Sequence, residues 1–294
     1  MLSRRRFMFG ACLPLAARRA PAFALMAGAY PDTPAARVDP NRPDSPWAGV
    51  GSITFSGGTY SGALIGRRFV LTAGHVAPVG PDVAKATFNL NLGPEATRIP
   101  IARAFKHPDY IGYNTPNLND DIAVLELAHD APPGVPVYGL ADEPLAAGTV
   151  LTMVGYGASG NGSTGVSVDR DPTVKRVGQN CADAFVVDDE GSGANEIFLI
   201  DFDGEPGSLN EMGGKTLGNA VETTFASGDS GSPAFVREHG AWKIAGVNTF
   251  VKFLSPGATA MGRFGTGAGG QVVYAYRKWI QSVINAEEHS APRR

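Results

Sequence analysis

The chain has 294 residues, 43% of them hydrophobic, enough to bury a substantial core as one or two domains. Its 25 basic and 28 acidic side chains give a formal charge of −3, and this mildly acidic balance argues against a nucleic-acid partner. The 38 glycines and 22 prolines indicate many turns.

Residues 1–29 read as an export signal. Ser3-Arg4-Arg5-Arg6-Phe7-Met8 is similar to the twin-arginine consensus, an apolar stretch from Phe7 to Ala17 follows, and Arg18 and Arg19 interrupt that region. An ordinary Sec signal is the alternative. Ala22-Phe23-Ala24 and Ala27-Gly28-Ala29 both have the small-x-small pattern, so cleavage is expected after Ala24 or Ala29. Removing residues 1–29 takes away five arginines and no acid, which moves the formal charge from −3 to −8. Cys12 leaves with that segment and Cys181 remains alone, so no intramolecular disulfide is expected.

Residues 30–46 read as a propeptide or linker. Short strand-like runs then recur: Gly62–Ile65, Phe69–Leu71, Ile122–Leu127, Val150–Val154, Ile197–Ile200, Ala234–Val236, Ile244–Val247 and Val272–Tyr274. Many short strands punctuated by glycine predict an all-β sandwich or barrel. One helix is predicted, about Ala275 to Ala286, with Trp279, Ile280, Val283 and Ile284 on one face. Beyond the signal, no apolar run is long enough to span a bilayer. Residues 287–294 read as a tail.

The most informative stretch is Ser227-Gly228-Asp229-Ser230-Gly231-Ser232-Pro233. Two glycines flanking Asp-Ser suit a serine on a tight turn with backbone N–H groups free to converge on one spot. A base and a carboxylate stand upstream: His75 after Phe69-Val70-Leu71-Thr72-Ala73-Gly74, and Asp121 before Ile122-Ala123-Val124-Leu125. Alone, such a histidine is usually structural and such an aspartate a turn former. Asp120 is the rival for the carboxylate role.

Taken together these stretches resemble the trypsin/chymotrypsin family of serine endopeptidases, in its bacterial secreted type. Leu71-Thr72-Ala73-Gly74-His75 is similar to the family's histidine box, His107-Pro108-Asp109-Tyr110 to the segment before the Asp strand, and Asp121–Leu125 to that strand. Val154-Gly155-Tyr156-Gly157 resembles the start of a second barrel, Gly228-Asp229-Ser230-Gly231 the serine box, and Gly246–Phe250 the substrate-binding strand. The order His, Asp, Ser is that of the chymotrypsin-type triad. The resemblance implies an all-β fold of two six-stranded antiparallel β-barrels, 47–135 and 136–286, with a short C-terminal helix. It implies that Ser230 attacks a peptide carbonyl, that His75 takes its proton, that Asp121 orients His75, and that Gly228 and Ser230 N–H groups hold the oxyanion.

Thr224, six residues before Ser230, falls where a trypsin-like enzyme carries a pocket-floor Asp. With Thr249 and Val251 it implies a pocket for small or medium uncharged side chains, and Glu222 is an alternative reaching the pocket. Asp229 implies pairing with a freed amine, for which Val38 after Arg37 is the candidate. The expected partner is a protein or peptide substrate, with no nucleic acid and, after signal removal, no membrane. A monomer, secreted or periplasmic, is expected. No cofactor is expected beyond structural Ca²⁺ at Asp188-Asp189-Glu190 or Asp201–Glu205, and His107, His129, His239 and His289 lack zinc spacing. A protease-like binding module and an esterase with the same triad are the rival classes.

Overall fold

A computed structural model describes residues 25–92, 97–112, 118–205, 209–255 and 260–290. Nearly all the predicted export signal lies outside them. In chain order the first strands are β1 (Val38–Asp39), β2 (Val50–Phe55), β3 (Gly58–Leu64), β4 (Phe69–Thr72), β5 (Thr87–Asn89), β6 (Arg98–Lys106) and β7 (Ala123–Leu127). There follow β8 (Gly139–Leu140), β9 (Val150–Gly155), β10 (Ser159–Asn161), β11 (Gly165–Val168), β12 (Lys175–Cys181) and β13 (Ala184–Val187). The chain closes with β14 (Asn195–Phe202), β15 (Pro233–Glu238), β16 (Ala241–Phe253), β17 (Thr266–Val272) and the helix α1 (Val273–Ser290).

Strands β2-β3-β4-β7-β6-β5 form a closed antiparallel barrel. The second half is a sheet whose six longer strands run β12-β9-β15-β16-β17-β14, extended by short β1, β8 and β13. Its two flanks meet at the Asn180 amide on β12, which donates to Asp201 O on β14 at 2.6 Å. The fold is thus all-β and trypsin-like, with one short C-terminal helix.

Local chemistry sets the register. In each half one hairpin turns on two residues of positive φ, Ser56-Gly57 (48° and 76°) and His239-Gly240 (50° and 82°), the geometry that matches strand twist. The first barrel is filled by Ile53, Leu64, Val70, Phe88, Leu90, Ile99 and Leu125, all buried. A second core spans the seam, where Leu71, Val76, Ile122 and Val124 pack with Val154, Tyr156, Phe235, Val247 and Tyr276. Helix α1 adds Val273, Tyr276 and Ile280 to that core. Because this core lies directly behind His75 and Asp121, the two halves cannot slide without moving both.

The strand expected at Val272–Tyr274 lies earlier. Strand β17 ends at Val272, and Val273–Tyr274 open the helix. Its body, Thr266-Gly267-Ala268-Gly269-Gly270-Gln271, lacks the β-branched pattern because neighbours take the space side chains would fill. A Cβ on Gly269 would stand 2.5 Å from Phe250 Cζ, and one on Gly270 2.0 Å from Val247 O.

Residues 25–37 also pack on the second half. Leu25, Met26 and Ala27 are fully buried, Met26 N–H donates to Thr224 O at 2.8 Å, and Ser159 Oγ donates to Leu25 O at 2.7 Å.

Candidate active site

Three loops converge at the seam. Strand β4 runs out of the first barrel into a single 3₁₀ turn, Gly74–Val76, that carries His75. Strand β7 is preceded by Asp120 at φ 63°, a kink that presents Asp121 at its mouth. Asp121 holds His75 twice: Oδ1 accepts the His75 backbone N–H at 2.7 Å, and Oδ2 contacts Nδ1 at 2.7 Å. An ionised carboxylate can only accept, so Nδ1 carries the proton and Nε2 is left as the base. Gly74 has to be small, since a Cβ there would lie 3.1 Å from Asp121 Oδ1. The rival Asp120 is placed elsewhere: its N–H donates to the Tyr276 hydroxyl at 3.0 Å and its Oδ1 stands 3.0 Å from His107 Nδ1.

The serine sits on a turn between Gly228 (φ 100°) and Gly231 (φ 81°), conformations that favour glycine. Asp229 N–H is taken by Ala226 O at 3.0 Å and Gly231 N–H by Asn248 O at 2.8 Å. Among the described residues the Gly228 and Ser230 N–H groups have no acceptor within the chain, the disposition an oxyanion hole requires.

What brings this turn to His75 is a relay that the sequence motifs do not reveal. Buried Ser61, on β3, donates its hydroxyl to Gly228 O at 2.9 Å and its N–H to Ser230 O at 3.0 Å. Its own carbonyl accepts from Thr72 Oγ1 at 2.8 Å, on the strand that delivers His75. Gly231 lies flat on that strand, where a Cβ would come 2.0 Å from Thr72 Oγ1 and 3.0 Å from Ala73 N. A polar residue at alternate positions of a strand next to the histidine strand was the only available signal for Ser61.

Asp229 is fully buried against Gly155. Burial pushes its carboxyl up to about 8, while N–H donation from Gly157 and Ala226 and the charge of Arg176 pull the other way. Val38, the candidate for its partner amine, lies in β1 opposite Arg176, and its N–H donates to Ala35 O at 3.3 Å. Arg37 is 9% exposed, ion-paired with Asp32, with its guanidinium on Glu222 O and its carbonyl accepting from Val177 N–H.

Of the pocket residues, Thr224 is buried with no hydrogen bond to its hydroxyl, and Thr249 Oγ1 donates to Gly269 O at 3.4 Å. Val251 lies opposite Ala268 on β17. Phe250, at the end of the Gly246–Phe250 stretch, is buried with its ring over Gly269. Glu222, the alternative, is 1% exposed. Its carboxylate accepts from Asp203, Gly204 and Leu217 N–H and from Thr216 Oγ1, which ties down its own loop.

A closed six-stranded barrel beside a second sheet, with a histidine, an aspartate and a turn-borne serine between them, is the arrangement of the class of trypsin-like serine proteases. A family model, "Trypsin", matches residues 38–194, more than half of the chain. The chain belongs to the trypsin family. The matched stretch contains His75 and Asp121, and Ser230 follows it. The chain is 36% identical over 99 residues to Complement C1r subcomponent-like protein of Homo sapiens, covering 30% of this chain and 20% of that one. It is 34% identical over 138 residues to Complement C1r-B subcomponent of Mus musculus, covering 42% and 19%. The chain therefore aligns with about a fifth of the length of these relatives.

Proposed function

We propose that this chain is an active, exported serine endopeptidase. The observation that carries the reading is the double contact of Asp121 on His75, set against a serine turn docked on the histidine strand. Ser230 attacks the scissile carbonyl as His75 Nε2 takes its proton, Asp121 stabilises the imidazolium, and the Gly228 and Ser230 N–H groups bind the oxyanion. His75 gives that proton to the departing amine as the C–N bond breaks and the acyl-enzyme forms; it then takes a proton from water, which attacks the ester carbonyl, and returns it to Ser230 Oγ as the acid product leaves. Each oxyanion donor is worth roughly 3 kcal/mol of the barrier.

No acid stands at Thr224, and Phe250 and Val251 follow on the same strand as Asn248, whose carbonyl accepts the Gly231 N–H of the serine turn. Both features support a preference for small or medium uncharged P1 side chains. Processing after Ala24 fits better than after Ala29, because the latter would strip out buried Leu25, Met26 and Ala27 and their hydrogen bonds. Zymogen cleavage at Arg37-Val38 requires Arg37 to leave Asp32 and Glu222 first. The exported location follows from the N-terminal segment; no helix among the described residues is long and apolar enough to cross a membrane.

The test is the intact mass of exported protein before and after a fluorophosphonate probe, alongside casein hydrolysis, with Ser230→Ala as control. A single adduct and casein cleavage, both lost in the control, are expected. A folded, processed chain that takes no adduct would move the assignment to a binding module, and an adduct without casein cleavage to an esterase. The same spectrum reads the mature start at Leu25, Tyr30 or Val38.

A further inference from the structure

Asp120, beside the triad carboxylate in sequence, faces a hairpin of the second half. One carboxylate oxygen from each of Asp120, Asp189 and Glu190 lies within 4.8 Å of the other two. That is the spread of oxygens sitting about 2.4 Å from one calcium ion. Asp120 is 1% exposed, and its Oδ1 receives no hydrogen bond of ordinary geometry although His107 Nδ1 is close. Behind it Glu196, on β14 and 8% exposed, keeps an Oε2 with no hydrogen-bond partner. Among the described residues no lysine or arginine pairs with Asp120, Glu190 or Glu196. The two buried carboxylates, Asp120 and Glu196, need a counter-charge, and the only basic side chain paired with either among the described residues is His107.

We propose that Asp120, Asp189 and Glu190 form a calcium site that clamps the two halves together behind the triad. The donors come from two halves and from both buried and exposed positions. Calcium tolerates that irregularity and completes its shell with water, whereas magnesium demands a near-ideal octahedron. The ion would reinforce ties that already dock the strand mouth carrying Asp121. Asn119 Nδ2 donates to Asp189 Oδ1 at 3.2 Å, and Gln271 Nε2 donates to Leu118 O at 2.8 Å. The neighbouring cluster of Asp183, Asp201, Asp203 and Glu222 brings no three carboxylates within such reach among the described residues. Of the two acidic runs singled out in the sequence, only Asp188–Glu190 therefore meets the requirement, and the ligand it lacked comes from the catalytic strand.

The experiment uses the processed Ser230→Ala chain, so its outcome does not depend on the protease assignment. Terbium(III), a luminescent stand-in for calcium, would lie close to the aromatic rings packed on His107, with Tyr276 at 5.2 Å and Trp279 at 5.0 Å from that imidazole between ring centres. Excitation through those rings is expected to give terbium emission that excess calcium quenches. Half-saturation by calcium is expected at about 10⁻⁴–10⁻³ M, the range of extracellular modules. Calcium at about 100 times that level should raise the melting temperature by about 5–10 °C. The exposed pair change Asp189→Asn with Glu190→Gln should abolish both signals, and Asp183→Asn should leave both. Absence of emission and of a thermal shift in the parent, or retention of both in the double variant, would overturn the site.

Discussion

The two halves of the molecule are held by different physics. The first barrel is filled with aliphatic and aromatic side chains, and its one buried acid on β7, Glu126, is matched by Arg103 at 2.6 Å and Arg68 at 3.2 Å. The second half buries Asp201, Asp203, Glu222 and Asp229 with no salt bridge to any of them among the described residues. It also buries Lys175, whose ammonium burial pushes down to about 8 despite Asp39 at 3.3 Å. The half that carries His75 and Asp121 therefore keeps its barrel by apolar packing and sets each buried acid, Asp120, Asp121 and Glu126, against a basic side chain. The half that carries Ser230 keeps its shape only in particular protonation states.

The largest effect belongs to the seam. Ser230→Ala should lower kcat by about 10⁵-fold or more, and Asp121→Asn by about 10⁴-fold, whereas Asp120→Asn should leave kcat within about tenfold. Turnover of a chromogenic peptide checks all three, and a loss with Asp120→Asn as large as that with Asp121→Asn would reverse their roles. Leu125→Ala, in the apolar barrel, should cost about 2–5 kcal/mol in urea unfolding, with the same cost at pH 6 and pH 8. Gly231→Ala places a methyl on Thr72 Oγ1 at positive φ and should cost about 2–4 kcal/mol. Because it separates the serine turn from the histidine strand, the fall in kcat should exceed what stability explains, measured at a temperature where the variant is folded.

The pH dependence sharpens the contrast. Burial raises the Asp229 carboxyl to about 8 and moves those of Asp183, Asp201 and Glu222 upward. These folded-state values lie above the unfolded ones, so the folded chain retains protons that the unfolded chain has released. Stability is then greatest near pH 4 in these groups and declines as pH rises to about 8. Melting curves across that window should show the decline, and a flat profile would break the comparison. The smallest effect is Asp183→Asn, whose amide can still accept from Asp201 N–H and can donate to the Asp201 carboxylate. It should be neutral near pH 5 and stabilising by about 1 kcal/mol at pH 8.

Much of the fold is readable from local patterns. The hairpins at Ser56-Gly57 and His239-Gly240, the apolar strands and the boxes around His75, Asp121 and Ser230 all depend on near neighbours in the chain. The unread parts depend on distant ones. Ser61 is an unremarkable serine until Thr72 and Ser230 lie on either side of it, and the Phe250 ring is buried only because Gly269 leaves it room. The glycine-rich strand β17 carries no period-two signal, since its partners supply the bulk. Asp189 and Glu190 look like a solvated loop until the catalytic strand is laid beside them.

The buried placement of Leu25–Ala27 has a consequence for how the molecule is made. The Met26 carbonyl is taken by the hydroxyl of Thr223, 197 positions further on. During synthesis those first residues therefore wait, unpartnered, until nearly the whole chain has left the ribosome. A contact of such high order forms late and slowly. Leu25–Ala27 and the Thr223–Thr224 segment they pair with are thus among the last parts to be fixed, and a nascent chain that already has a complete first barrel still lacks the finished second half around Ser230.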